Sequence, residues 1–440
     1  MVQIKKHKLI AIILLLGFAV TLSYAFYFHI KPSVDAKAYD SIAWSLVQGT
    51  GYTETTNSLP DSAIGRLGPG YEFFLAAIYW VFGHQLWIVW IIQSILHTLS
   101  AFIVYRLIRR LYVEVNAEKY AALGAGLYIF FIDLLEFPAM LLTETLYLFL
   151  VLSGIYFALS MWEKPVLRNV LATSALFTLA LLVRPPVTIL MLVAIGFLIY
   201  RRLWRYAAIF AFMAVIILTP WTVRNYLKYH RFIPTSYILG YDVWVGNSPE
   251  SKYIGELTAT EEIDRYTLEE GLFAANERGK REVLNLALRH PWEFIKLQLA
   301  KTSIYFSAAR PAAFWFHLSG ISQILTIIFS SIFAFIIFAF GLSGLWIYIK
   351  KRDFISRMIT LATLAAPAGI IWIVAETRYR YQIYPMLIIM GVLFLAELLK
   401  DRRKYKTIII TAAFIISINT AFDAVTNIPR VLERFHRLFL

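Results

Sequence analysis

The chain has 440 residues, of which 59% are hydrophobic and only 16% charged, with no cysteine and a formal net charge of +14. A soluble domain carries roughly 25% charged residues, so this chain has too little polar surface to face water on all sides, and its mean hydropathy of +0.65 agrees. The missing cysteine excludes disulfides, thiolate zinc sites and cysteine nucleophiles. The positive charge, spread between apolar runs rather than gathered in one patch, argues against nucleic acid as a partner.

A membrane-crossing helix needs about 20 mostly apolar residues. In chain order, the first such run covers 9–29, behind Lys5, Lys6 and Lys8. It is longer than a signal-peptide core of roughly 7–15 residues, and no clear small-residue cleavage site follows, so it reads as a retained first span. After a more polar stretch over 31–84 come apolar runs at 86–105, 120–135, 145–162, 169–183, 187–200 and 206–221. A second long polar stretch covers 222–320, and runs at 321–349, 358–375, 382–399 and 407–427 complete eleven expected spans. The expected organisation is an N-terminal membrane core over 1–221 with a first outer loop at 31–84, then an extracytoplasmic segment over 222–320. C-terminal membrane helices over 321–440 follow, with an outer tip at 376–381.

Cytoplasmic loops are rich in Lys and Arg. With a cytoplasmic N-terminus, that side receives Lys5/Lys6/Lys8, Arg106/Arg109/Arg110, Lys164/Arg168, Arg201/Arg202/Arg205, Lys350/Lys351/Arg352 and Arg402/Arg403/Lys404. Every second connection thus carries a basic cluster, and the two long stretches fall on the other side. Within 222–320, Thr258 with Glu261 spells a helix capping box. The amphipathic stretch 291–306 and the tail 428–440 are both expected to lie in the membrane interface.

Ionisable residues near membrane depth are costly and need an explanation. On the outer side these include Asp35, directly after the first span and followed by Tyr39 and Asp40, and Arg66 in the turn Gly65-Arg66-Leu67-Gly68-Pro69-Gly70. Glu144 opens a span, where it also complements the helix dipole. Arg184 precedes Pro185-Pro186, where snorkelling to the headgroups is the favoured explanation. Arg224 and Asn225 mark the exit of the seventh span, and Asn247 lies in Gly246-Asn247-Ser248-Pro249. The sharpest signal is Glu376-Thr377-Arg378-Tyr379-Arg380-Tyr381, a tip too short to be a solvated domain. Arginine's forked donors match phosphate geometry, so an anionic lipid headgroup is the natural ligand there. No Walker A loop, HExxH or Gly-x-Ser-x-Gly elbow occurs, and the eight histidines lack metal-ligand spacing. No cofactor or metal site is expected, although a carboxylate pair can hold a divalent ion.

In this order the motifs resemble the membrane glycosyltransferases of GT-C architecture, in the superfamily of protein O-mannosyltransferases and lipid A aminoarabinose transferases. The resemblance is carried by Asp35-(x)3-Tyr39-(x)2-Ile42-Ala43, Gly49-(x)-Gly51-Tyr52, Arg66-(x)2-Pro69-Gly70-Tyr71, Glu144-(x)-Leu146-Tyr147 and Arg184-Pro185. It continues through Pro220-Trp221-Thr222-Val223-Arg224-Asn225-Tyr226, Gly246-Asn247-Ser248-Pro249 and Glu376-(x)-Arg378-Tyr379-Arg380-(x)4-Pro385.

The resemblance implies an all-α polytopic membrane protein with the GT-C fold: about eleven transmembrane helices, outer-face amphipathic helices and a mostly helical extracytoplasmic segment. It also implies a plasma-membrane enzyme that takes a sugar from a polyprenyl-phosphate carrier, of dolichyl or undecaprenyl type, on the extracytoplasmic side. The acceptor would be a hydroxyl or phosphate of a glycolipid, protein or polymer. On these positions Asp35 becomes the essential carboxylate and Glu144 a second acidic residue, while Arg378, Arg380, Arg66 and Tyr379 hold the lipid phosphate. Tyr39, Asp40, Arg184, Arg224, Asn225, Asn247 and Glu376 become supporting residues. Ala36 stands where the mannosyltransferases carry a glutamate after the aspartate, which leaves the acceptor open.

The chemistry is coherent with these residues. Glycosyl transfer passes through an oxocarbenium-like transition state, Asp35 can take the acceptor proton, and a cationic clamp stabilises the departing phosphate. Single displacement inverts the anomeric centre. The rival readings are a transporter or flippase for lipid-linked saccharides, a polymerase or ligase using a diphosphate-linked donor, and a non-catalytic scaffold. A transporter calls for ionisable residues and broken helices at the midplane. Only Asp133, Glu136 and Glu397, near span ends, approach that pattern.

Overall fold

A computed structural model describes residues 2–57, 59, 61–249, 259–309 and 317–428. Among them the regular structure is entirely helical. In chain order the α-helices are α1 (Val2–Phe28), α2 (Asp35–Val47), α3 (Gly70–Phe82), α4 (Leu86–Leu111), α5 (Ala117–Ile129) and α6 (Ile132–Leu135). Then come α7 (Glu144–Glu163), α8 (Leu167–Val183), α9 (Thr188–Tyr200), α10 (Trp204–Tyr229), α11 (Leu239–Asn247), α12 (Glu261–Arg289) and α13 (Pro291–Tyr305). The last four are α14 (Gly320–Lys350), α15 (Phe354–Ile370), α16 (Tyr384–Lys400) and α17 (Arg402–Thr426).

Each apolar run of the sequence falls on α1, α4, α5 with α6, α7, α8, α9, α10, α14, α15, α16 or α17. Of these, α1, α4, α7, α10, α14 and α17 are each long and apolar enough to cross a membrane. The pair Ala117–Ile129 and Ile132–Ala139 forms one further candidate, bent by 61°. The others are shorter, and the reason is visible in α16, whose residues 384–394 are all buried. A helix surrounded by protein need not match the thickness of the hydrocarbon layer by itself. The outer helices do the opposite: Leu15, Phe212, Phe329 and Phe414 of α1, α10, α14 and α17 are exposed, as a lipid-facing belt requires. The chain is a multi-pass membrane protein.

Backbone polar groups released by a break in a membrane helix must find partners inside the protein. Where the short piece beyond the α5–α6 bend ends, the Gln93 amide of α4 donates to the carbonyls of Pro138 and Met140, at 3.0 and 2.7 Å. Its Oε1 accepts from the Tyr71 hydroxyl at 2.9 Å, which ties α3 to the same point.

The helix ends sort into two faces. On one, Arg110 pairs with Glu163 at 2.6 Å and Lys400 pairs with Glu114. A cavity of about 310 Å³ lined by Tyr112, Glu114, Lys351 and Glu397 joins the ends of α4, α14 and α16 there. On the other face lie the start of α2, the loop before α3, the start of α7, the end of α8 and the tip between α15 and α16.

Two details differ from the sequence expectation. α10 continues past 221 to Tyr229 with Pro220 inside it, so one helix crosses the boundary expected at 221. The cap of α12 is Thr260, whose side chain accepts from the Ile263 N–H at 3.3 Å. Thr258 lies outside the described residues, as does nearly all of the tail 428–440. α13 presents Trp292, Ile295 and Leu299 outward and buries Lys301, Ile304 and Tyr305, the two-faced pattern of an interfacial helix.

Candidate active site

Asp35 is the first residue of α2, where its charge complements the helix dipole. The residue before it, Val34, has φ 48° and ψ −114°. A β-branched side chain at positive φ is strained by roughly 1–3 kcal/mol, and here that strain falls immediately before the carboxylate. Tyr39, one turn further along the same face, is buried against Tyr71, with ring centroids 5.5 Å apart. Asp40 lies on a different face. It accepts from the Tyr79 hydroxyl at 2.6 Å and meets His84 Nε2 at 2.8 Å, so it does not join Asp35.

Arg66 follows a short 3₁₀ turn, Ser62–Gly65, and is extended. Its Nη1 lies 3.3 Å from Asp35 Oδ1, while Nε and Nη2 fork onto the two oxygens of Glu54 at 3.0 and 2.5 Å. The loop holds its place by close contact: a Cβ on Gly68 would lie 2.1 Å from the Leu182 carbonyl near the end of α8. Burial works against the charge of Arg66, but Glu54 and Asp35 outweigh it and keep its pKa above the ordinary value.

Arg378 comes to the same carboxylate from the far end of the chain, in the 3₁₀ helix Thr377–Gln382. Its Nη2 is 3.3 Å from Asp35 Oδ2 and its Nε is 3.4 Å from Glu144 Oε1. Glu144 also accepts from Arg184 Nη1 at 2.9 Å and from the Thr143 hydroxyl at 3.1 Å. Arg184 in turn donates to the Tyr381 hydroxyl at 3.0 Å and lies 4.6 Å from the centre of the Tyr379 ring. Tyr379 is thus wedged between Arg184 and Arg378, 5.2 Å from the latter's guanidinium carbon.

The outcome is a row of alternating charge: Glu54, Arg66, Asp35, Arg378, Glu144, Arg184. The Arg184 and Glu144 side chains are 2% and 1% exposed, whereas Asp35 is 30% exposed and Arg66 22%. Both ends of the row, Glu54 and the Arg184–Glu144 pair, are sealed, and the accessible middle is the Asp35 carboxylate between two guanidiniums.

Several expected site residues have other partners. Two positions along a 3₁₀ helix are about 240° apart around its axis, so Arg378 and Arg380 diverge. Arg380 is fully buried, donates to the carbonyls of Thr377 and Ser307, and lies by the Phe338 ring. Arg224 bonds Asn225 Oδ1 at 2.8 Å and stacks near Tyr52, Trp221 and Tyr229. Asn225 donates to Ile233 O at 2.9 Å, pinning the chain after α10. Asn247 donates to the carbonyls of Val243, Trp372 and Ile373. Glu376 is half-buried and adds negative charge beside Arg378 and Tyr379.

Three acids were not singled out by sequence. Glu54 sits in Thr53-Glu54-Thr55-Thr56-Asn57, which reads as an ordinary polar loop. Glu72 of α3 is buried, accepts from the Tyr52 hydroxyl at 3.0 Å, and is pushed up by burial to about 8. Asp242 of α11 lies close enough to Asp35 and Arg184 to feel both charges. Among the described residues no three His, Asp or Glu side chains converge as a metal-binding group. Beside the row, an apolar crevice of about 20 Å³ begins at Tyr147, Pro186 and Gln382 and is lined further by Ile155, Ala362 and Ala366.

Residues 66–223 match the sequence profile of a family described as dolichyl-phosphate-mannose-protein mannosyltransferase. That segment contains Arg66, Glu144 and Arg184, while Asp35, Asp242 and Arg378 lie outside it. No curated protein matches the sequence. Among solved structures, the fold is similar to ArnT from Cupriavidus metallidurans bound to undecaprenyl phosphate. The TM-score is 0.51 and the identity 15%, over 91% of this chain and 63% of that one. The same protein in the apo state aligns with a TM-score of 0.41 and 14% identity, over 87% of this chain and 77% of that one. The chain therefore spans less than two thirds of the length of the undecaprenyl-phosphate-bound ArnT structure. The chain thus shares its fold with the undecaprenyl-phosphate-bound ArnT structure, and within it residues 66–223 carry the mannosyltransferase profile.

Proposed function

We propose that this chain is a glycosyltransferase. It moves a sugar from a polyprenyl-phosphate donor, of dolichyl or undecaprenyl type, to an acceptor hydroxyl or phosphate at the face that carries Asp35. The observation that carries this reading is the position of Asp35, with one guanidinium on each oxygen. Arg66 and Arg378 are the groups a lipid phosphate would seek, since guanidinium forks suit phosphate oxygens. A bound phosphate competes with Asp35 for them and leaves the carboxylate free to take a proton. The acceptor oxygen then forms its bond to the anomeric carbon as the bond to the phosphate oxygen breaks. The electron pair leaves with the polyprenyl phosphate, which the arginines stabilise. One displacement inverts the anomeric centre. ArnT holding undecaprenyl phosphate supports the lipid class, and the mannosyltransferase profile supports the reaction class.

The basic-cluster alternation supports a cytoplasmic N-terminus and an extracytoplasmic site. The acceptor is a glycolipid, a protein or a polymer. A second reading, a carrier of lipid-linked saccharides, draws on the 61° bend beside the buried acids Asp133 and Glu136. One experiment separates the two. The protein is reconstituted in liposomes with a radiolabelled polyprenyl-phosphate sugar and each acceptor fraction in turn. Transfer predicts free polyprenyl phosphate and an inverted product. Movement of intact donor between leaflets, with no bond cleaved, would support the carrier and sink the transferase.

A further inference from the structure

α11 lies across the two arms that clamp Asp35. Just before it begins, the Tyr237 N–H donates to the Ile64 carbonyl at 3.1 Å, in the loop that carries Arg66. At its other end the Asn247 amide donates to the carbonyls of Trp372 and Ile373 at 3.1 and 3.3 Å, in the segment leading to Arg378. A Cβ on Gly246 would lie 2.1 Å from the Ile373 carbonyl, so this approach requires glycine. Lys301 Nζ fastens the same corner, 2.8 Å from Asn247 Oδ1 and 3.1 Å from Trp372 O. One short helix is therefore tied to the Arg66 loop at its start and to the Arg378 segment at its end. Asp242 is in its first turn.

Both oxygens of Asp35 are engaged by guanidiniums. Asp242, by contrast, makes no side-chain hydrogen bond or ion pair with any described residue. Its surroundings are charged: Asp35 from α2 and Arg184 from the end of α8 act on it directly, and Asp264 of α12 faces Tyr241 next to it. It is half-buried, so a ligand can reach it. Building on the glycosyl-transfer reading, we infer that Asp242 is a further carboxylate of the site and the resting place of the proton removed from an acceptor hydroxyl. In the step, the acceptor O–H bond breaks as its oxygen bonds the anomeric carbon, and the C–O bond to the phosphate breaks with its electron pair. The proton passes by way of Asp35 to a carboxylate oxygen of Asp242, and then to water before the next turnover. Burial, reinforced by the Asp35 charge and opposed by Arg184, pushes the Asp242 carboxyl up to about 7. A carboxyl in that range both accepts and releases a proton near neutral pH.

The test is the pH dependence of transfer to a hydroxyl acceptor by wild type, D242N, D242E and D35N in liposomes. Asp242 must be ionised at the start of turnover, so the wild-type kcat should fall about tenfold per pH unit below about 7. D242N should lose roughly 10²-fold in kcat above neutrality and lose that acid limb, with its thermal unfolding near wild type. D242E should recover most of the rate and restore an acid limb, and it decides the matter if D242N does not fold. Full activity and an unchanged acid limb in D242N, with D35N inactive, would overturn the proton role and leave the transferase reading standing. A wild type that transfers no sugar would overturn the transferase reading and this inference with it.

Discussion

Arg378 Nη2 lies 3.3 Å from Asp35 Oδ2, joining residues 343 positions apart in the chain. The contact unites the start of α2 with the tip between α15 and α16. Arg378→Lys keeps the charge but loses the fork, which lysine cannot reproduce. Donor KM should rise by at least about tenfold, equivalent to about 1.4 kcal/mol, with a smaller loss in kcat. Steady-state kinetics with a polyprenyl-phosphate sugar would show it, and equal loss in Arg378→Lys and Arg380→Lys would argue against the assignment of Arg378 alone.

The Arg184–Glu144 pair at 2.9 Å is sealed from water. Removing one partner of such a pair leaves the other charge buried, at a typical cost of about 3–5 kcal/mol. Arg184→Met should therefore unfold at a clearly lower temperature in detergent. The double variant Arg184→Met/Glu144→Gln should recover part of that loss, because no uncompensated glutamate remains. It should not recover all, since Arg378 Nε also leans on Glu144 at 3.4 Å.

Val34 is strained and Asp35 follows it. Val34→Gly should relieve about 1 kcal/mol or more of backbone strain, so the variant should be no less stable than wild type in thermal unfolding. It should nevertheless lower kcat, because the hinge before Asp35 becomes free to turn. A variant both more stable and fully active would show that the strain has no part in placing the carboxylate.

Lys301 is fully buried at the corner of α11, and burial pulls its ammonium down to about 7 from 10.5. Between these values the unfolded chain holds a proton that the folded chain does not, so stability should rise with pH through that window, by up to about 1.4 kcal/mol per unit. Lys301→Met should abolish this slope. It should also leave the Trp372 carbonyl and the Asn247 oxygen with fewer partners, at a cost of about 1–3 kcal/mol. Urea titrations across that pH range would measure both.

Much of the site was legible because lipid penalises charge. Asp35, Arg66, Glu144, Arg184 and Arg378 each stand at the mouth of an apolar run, and the alternation of basic clusters assigns them to one face. In the structure they meet. Glu54 was not legible, since an acid in a threonine-rich loop looks solvated until a specific arginine folds over it. Asp242 was hidden for a related reason: its neighbours are supplied by α2 and α8, remote in sequence. Arg380 looked equivalent to Arg378 because the tip was read as a string, whereas its 3₁₀ twist sends the two side chains apart. Asn225 and Asn247 carried no periodic signal that separates a backbone tie from a ligand contact, and both are backbone ties.

The most direct measurement of the central claim is transfer of label from a radiolabelled polyprenyl-phosphate sugar by membranes containing wild type or Asp35→Asn at equal expression. The account predicts that wild type moves the sugar to an acceptor and releases polyprenyl phosphate, and that Asp35→Asn does so at least about 10²-fold more slowly. Transfer by Asp35→Asn at the wild-type rate, or no transfer by wild type, would contradict it.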